Sequence, residues 1–491
     1  MKQNLRKNIV KTAMTAVISQ VCNVLTALLL PRLIIQSLGS DYNGLIATAR
    51  QFANYLGMID TGLYAATCYH FIRAFEKNDT EQVQDLFVTV GNFYRRVSVF
   101  AVAIVAVISV GYGSVVASGV PAAVSAYVIA AYSLGTIIAY YGFFKYNIML
   151  FASGKQYYIT LACAAAAVAT LAGQYFLLER GAPVILIASL HPLFIVLRLL
   201  ILKRKALQDH PYLHQRRGTV RPELIEQKWD ALIMNISDSM KTFAPIISFS
   251  LLWGTAYVSV YSVYESVLHL GSSILVMCMN GLTPSLGREL NAITQSSCNQ
   301  FRRMNQIIMA ISGMICSCFA VMIMSFIGIY VGDIGDMSYE YPVMAYLLIV
   351  STWFLMIRGG YELLIKSMGY IKELRKGAVH EILIAMTGCL GAGLFLGMEY
   401  VALGVAVSSA YRTIRMMYFC KKRIYSRCDT GIAADFLFWG VITFLVSAAG
   451  KLLVPYTRGL GMFLLWAMIT GVSCAAVYAL AYFVRKNRRK C

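Results

Sequence analysis

Arg50 and Asp60, with Asn54 and His70, stand in the stretch "RQFANYLGMIDTGLYAATCYH", which lies within a longer apolar run. A charge in the hydrocarbon of a bilayer costs at least ~2.5–3.5 kcal/mol on insertion scales, so it usually faces a cavity or a partner. Arg50 and Asp60 lie ten residues apart, about 15 Å along a helix, too far to pair. Arginine's planar fork suits phosphate oxygens, which makes Arg50 a candidate substrate contact. Asp60 suits a proton or sodium site, or a structural pair with another helix.

Polar residues recur elsewhere at three- and four-residue steps, the spacing of one helix face. Thr12, Ser19, Asn23 and Thr26 form one such stripe, and Asn43, Arg50, Asn54, Gly57 and Thr61 a second. Asp230, Asn235, Asp238, Lys241 and Thr242 form a third; Tyr257, Tyr261, Glu265 and His269 a fourth. Arg358, Glu362 and Lys366 follow at i, i+4, i+8. The candidate binding residues are therefore Arg50, Lys241, Arg358, Asn54, Asn23, Tyr257 and Tyr261. The candidate ion-coupling residues are Asp60, Asp238, Glu265 and Glu362. Plainer readings fit some of these. Arg358–Glu362–Lys366 also fits an intrahelical ion ladder, Asp238 and Lys241 can neutralise one another, and Arg32 after Pro31 can snorkel to the outer boundary. Tyrosines offer an apolar face and a hydroxyl, which suits sugar rings.

The elements that must carry these residues follow from composition. The chain of 491 residues is 58% hydrophobic and 13% charged, where soluble chains average about 25% charged. Fourteen apolar segments are long enough to span about 30 Å of hydrocarbon: 9–35, 43–70, 86–112, 121–147, 156–178, 182–202, 229–252, 255–283, 306–331, 342–366, 377–397, 400–420, 433–454 and 460–484. The expected fold is an all-α polytopic membrane protein.

The net charge of +20 is distributed by loop. Lys and Arg crowd alternate loops: Arg73 and Lys77, Lys155, the stretch from Lys203 to Lys228, Arg302 and Arg303, Lys372 to Lys376, and Lys421 to Arg427. The intervening loops, such as "SLGSD" and "YVGDIGDMSYEYP", are nearly free of them. This is the positive-inside pattern. It puts both termini in the cytoplasm and accounts for the basicity by topology, not by nucleic acid. The basic loop holds His210 and His214, expected to be solvated. The twelve cysteines form no CxxC and show no metal-ligand spacing; they read as small buried hydrophobes.

A repeat divides the chain. At an offset of 215, Gly39 aligns with Gly254, Tyr42 with Tyr257, Asn23 with Asp238 and Thr26 with Lys241. Six helices per half gives a parallel repeat, whose substrate site lies between the halves in transporters built this way. The expected organisation is an N-lobe, 1–203; a basic linker, 204–228; a C-lobe, 229–428; and two further helices with a basic tail, 429–491. No Walker A, HExxH or GxSxG motif is present, and no outer loop is long enough for a catalytic domain. The expectation is a transporter, not an enzyme, with no cofactor and with an H+, Na+ or substrate gradient as driving force.

The stretch "LIIQSLGSDYNGLIATARQFANYLGMIDTGLYAATCYHF" resembles the first two helices of bacterial polysaccharide flippases, with Leu38-Gly39, Tyr42 and Gly44, and Asp60-Thr61-Gly62 as the matching elements. Asn43 interrupts the family's usual YG. "NIMLFASGKQYYI" is similar to that family's helix 4–5 turn. The family is a branch of the multidrug/oligosaccharidyl-lipid/polysaccharide exporter (MOP) superfamily. The topology resembles the family throughout; the motifs lie mainly in the first 160 residues. The resemblance implies two six-helix lobes opening alternately to each side. It also implies a polyprenyl-diphosphate-linked oligosaccharide as substrate, moved from the cytoplasmic to the outer leaflet of the bacterial inner membrane. By this resemblance Arg50 and Lys241 meet the diphosphate, the tyrosines of the eighth helix meet sugar, and the last helix pair borders the lipid tail. It implies as partners the lipid bilayer and the polysaccharide polymerase and glycosyltransferases of the same pathway. A multidrug exporter of the same superfamily would present a net-acidic cavity; a peptidoglycan-precursor flippase would carry more arginine in its first two helices. A membrane glycosyltransferase or polymerase would form glycan as purified protein.

Overall fold

The computed structural model describes residues 2–77, 79–116, 119–215, 218–221, 243–289, 295–333, 335–368, 370–424 and 431–487. Among these the chain is helical. The helices are α1 (Lys2–Leu38), α2 (Ser40–Glu76), α3 (Thr80–Val115), α4 (Ala122–Ile138), α5 (Phe144–Ala152), α6 (Gln156–Glu179) and α7 (Val184–Asp209). They continue as α8 (Phe243–Leu252), α9 (Thr255–Glu289), α10 (Gln295–Val331), α11 (Pro342–Ser367), α12 (Ile371–Leu396), α13 (Val401–Phe419), α14 (Ile432–Leu453) and α15 (Leu460–Asn487). A π-helical turn, Ala139–Phe143, joins α4 to α5 in one rod. Ten of the described helices are long and apolar enough to cross a membrane. α2, α8, α9 and α13 fall outside that set; α2 carries Arg50 and Asp60, and α13 carries Arg412 and Arg415. The protein is a multi-pass helical membrane protein.

The surface inverts the soluble pattern. Val99, Phe100, Val107 and Val110 on α3, and Leu437, Phe444 and Leu445 on α14, are exposed. Lipid tails are as apolar as leucine, so helices in a bilayer associate through close packing and polar contacts. α12 and α13 show this: a Cβ on Gly404 would overlap the Cys389 backbone nitrogen.

The chain forms two compact units, 1–239 with 253–260, and 240–252 with 261–491. In unit 1, Leu30, Ile34, Leu45, Ala49, Tyr132 and Ile187 form one core, and Phe71, Phe87, Tyr94, Tyr146 and Leu202 another. The helix pair α14–α15 belongs to unit 2 and packs on α10. Asp435 in the first turn of α14 joins all three: its Oδ2 accepts from Arg302 Nε at 3.1 Å and its Oδ1 from Arg485 Nη2 at 2.7 Å.

Two positions of the repeat share a backbone conformation that glycine favours. Gly39, the single residue between α1 and α2, and Gly254, before α9, both have φ 92°. The helix starts that follow meet inside unit 1. Thr255 Oγ1 donates to Asp41 Oδ1 at 2.5 Å, Asn43 Nδ2 donates to Ser259 Oγ at 2.7 Å, and a Cβ on Gly44 would overlap the Thr255 carbonyl.

Candidate functional site

Arg50 is half-buried in α2, its guanidinium 5.8 Å from the centroid of the Tyr132 ring on α4. That ring stacks on His191 of α7, with centroids 4.5 Å apart and planes at 24°. Gln174 of α6 holds the assembly, its Nε2 donating to the Ile187 carbonyl at 3.0 Å and to Tyr132 Oη at 3.4 Å. Four helices thus position one cation. Arg50 makes no ion pair among the described residues. A cation–π contact engages a charge without consuming N–H donors, so the fork remains available to a two-oxygen acceptor. Asn54, one turn further along α2, is exposed. Asn23 on α1 is exposed too. Tyr132, His191 and Gln174 were not among the sequence candidates. They lie on three different helices, and spacing within one helix does not bring them together.

In unit 2, Tyr261, Glu265 and His269 of α9 line one small cavity of about 80 Å³. Its opposite wall carries Ser351 and Thr352 of α11 and Ser409 of α13. Ser351 and Ser409 share a hydrogen bond of 3.1 Å. Glu265 makes no ion pair among the described residues. A carboxylate facing hydroxyls can hold a proton or a small cation. Tyr257 is not on this cavity; it lies beside Trp253, ring centroids 6.5 Å apart, in the part of α9 that belongs to unit 1.

Arg358 has a different environment. It is buried, donates through Nη1 to Glu381 Oε1 of α12 at 2.7 Å, and lies 3.7 Å from Glu362. Glu381 Oε2 accepts from Arg412 of α13 at 2.5 Å, and neither residue is accessible. The i, i+4 ladder is half of an interhelical cluster whose other members sequence reasoning missed. The lone Glu381 in the apolar span 377–397, and Arg412 with Arg415 in 400–420, were the available signal. Lys241 and Asp238 lie outside the described residues, as does the side chain of Asp60.

In the basic loop after α7, His210 is packed where a solvated residue was expected. Asp85 of α3 is buried; its Oδ1 accepts from the Thr219 backbone N–H at 2.6 Å and its Oδ2 lies 2.8 Å from Arg221 Nε. The His210 ring packs against Phe75, centroids 5.2 Å apart and planes tilted by 32°, and its Nδ1 is 3.1 Å from Tyr212 Oη. Burial, and then the Lys155 ammonium, lower the His210 pKa. The loop is docked because α3 supplies a buried acid that the loop's N–H groups and arginine satisfy. His214 has no described side chain.

A second cavity in unit 2, about 480 Å³, lies between α10, α11 and α14. Its lining is mostly apolar, including Trp353, Phe354 and Phe444, and Lys451 stands in its wall, 4.5 Å from the centroid of the Tyr346 ring.

No family model and no curated protein matches the sequence. The fold is known. A structure titled "Lipid II flippase MurJ, inward closed conformation" is similar over 97% of this chain and 99% of its own, at TM-score 0.73 and 11% identity. An inward-facing multidrug resistance MATE family transporter of the MOP superfamily is similar over 84% of this chain and 98% of its own, at TM-score 0.66 and 14% identity. The MATE multidrug transporter DinF-BH in complex with R6G follows at TM-score 0.60 and 13% identity, over 84% of this chain and 95% of its own. The chain therefore has the fold of MOP-superfamily transporters.

Proposed function

We propose that the protein is a flippase that moves a polyprenyl-diphosphate-linked oligosaccharide across the bacterial inner membrane by alternating access, for polysaccharide export. The observation that carries this reading is Arg50: a half-buried guanidinium on α2, buttressed by Tyr132, His191 and Gln174, with no carboxylate partner among the described residues. Such a group favours an anionic ligand, and a diphosphate matches its fork. The fold supports transport, and the apolar cavity beside α14 supports a substrate with a lipid tail. The Tyr261–Glu265 cavity supports coupling to H+ or Na+ in unit 2. Arg358 and Glu362 belong to the scaffold in this reading, since Glu381 and Arg412 already satisfy the cluster.

A peptidoglycan precursor is the second reading. It is favoured by the near-complete overlap, on both chains, with a structure titled as a lipid II flippase. Both substrates share the diphosphate and differ in the glycan. The test is the sidedness of each precursor in cells with and without the protein. Retention of the oligosaccharide precursor on the cytoplasmic leaflet upholds the first reading. Retention of the peptidoglycan precursor alone replaces it with the second. Normal exposure of both sinks the flippase reading.

A further inference from the structure

Unit 1 contains a cavity of about 400 Å³ between α3, the π turn and α7 that the transport reading does not use. Arg95, Lys145 and Lys203 line it together with Asn92, and none of its lining residues is acidic. Each cation lies against an aromatic ring. Lys145 Nζ is 4.2 Å from the centroid of Phe87, Arg95 Cζ 5.4 Å from Tyr141, and Lys203 Nζ 5.7 Å from Phe143. Ring faces steady a cation but carry no net negative charge. Arg95 and Lys203 make no ion pair among the described residues, and an anion between these like charges would relieve their repulsion.

The backbone is shaped for this cavity. The π turn spans Ala139–Phe143 and carries both Tyr141 and Phe143 into the lining; single π turns inside α-helices recur at functional sites. On α3, a Cβ on Gly91 would sit 3.2 Å from Lys145 Cδ and 3.3 Å from its Nζ. Glycine there leaves room for the lysine to cross the helix.

The depth of the cavity indicates its ligand. Arg95 continues the exposed apolar stripe of Val99, Val102 and Val110 on α3, and Tyr141 ends the stripe of Tyr127 and Leu134 on α4. Lys203 lies near the end of α7 where the chain enters the basic loop. The cavity is thus where the lipid-facing surface gives way to the basic-loop side, the level of lipid phosphates. Basic pockets between membrane helices at this level bind anionic head groups.

We propose that this cavity binds the phosphate or diphosphate head group of an anionic lipid in the leaflet on the basic-loop side. The inference rests on the membrane-spanning fold and not on the transport reading. The test uses the full chain in nanodiscs of phosphatidylcholine doped with photoreactive phosphatidylglycerol or photoreactive polyprenyl diphosphate, with and without free pyrophosphate. Crosslinks are mapped by mass spectrometry. Label on residues 87–95 and 141–146 from either anionic lipid is expected, and the lipid that labels names the source. The double variant Arg95→Gln/Lys203→Gln should lower retention about 30-fold, roughly a factor of five per charge removed. Gly91→Leu should also lower it, with the charge unchanged. Undiminished labelling in the double variant overturns the proposal. So does equal labelling by photoreactive phosphatidylcholine, or pyrophosphate binding without either lipid. Lost labelling with normal precursor sidedness upholds this site while leaving the transport reading to its own test.

Discussion

Glu381 holds two guanidinium groups, Arg358 and Arg412, where water does not reach. Removing one partner from a buried cluster leaves uncompensated charge and costs about 3–5 kcal/mol. Glu381→Ala should therefore deplete folded protein from the membrane, read as loss of the monodisperse peak in detergent. Arg50 is the opposite case. Arg50→Lys keeps the charge and removes the fork; export should fall at least about tenfold, the cost of one lost charge-assisted hydrogen bond of ~1.5 kcal/mol, at unchanged membrane level. Full export in Arg50→Lys would remove bidentate contact from the reading. At this scale the sequence was legible in part. Arg50 was conspicuous because a lone arginine in an apolar helix is costly. The environment of Arg358 was not, because spacing reports neighbours on one helix, whereas Glu381 and Arg412 approach from two others.

Among the elements, the docked loop makes the sharpest prediction. His210 has a pKa lowered by burial beside Phe75 and by Lys155, so the docked state favours the neutral ring. Docking should be intact above the ordinary histidine pKa of about 6.5 and weaken as pH falls below it. A cysteine introduced at Leu213, which is buried, should react with a thiol reagent faster at pH 5.5 than at pH 7.5 once each rate is divided by that of an exposed reference cysteine, since only the thiolate reacts. His210→Phe should flatten that dependence; a flat profile in the parent chain would sink the idea. The helix starts give a second prediction. Gly44→Ala should prevent α2 from meeting the start of α9 at Thr255, lowering membrane level or export. Gly39 and Gly254 were legible as a repeat because a left-handed φ restricts residue choice. The docked loop was not, because the acid that captures it, Asp85, looked like an ordinary residue in the first turns of α3.

For the whole molecule, apolar length and loop charge sufficed to read an all-α membrane fold, since a bilayer admits few alternatives to helices. The described helices extend beyond many of the expected spans; α3 runs over Thr80–Val115 where 86–112 was expected, because polar ends continue a helix into the head-group region. The last helix pair was read as an addition to the repeat. Its charged links to α10 suggest a part of the scaffold, so a chain ending at residue 430 should accumulate poorly, measured by membrane level against the full chain. A truncated chain at normal level would show that α14 and α15 serve function alone.

The Asp435 junction also imposes an order in time. Its partners lie 133 residues before it and 50 after it in the chain. During synthesis Arg302 is already inserted when Asp435 leaves the ribosome, while Arg485 is still to be made. The acid can therefore be received by an earlier helix at once, and Arg485 arrives later as a second clasp that closes the bundle.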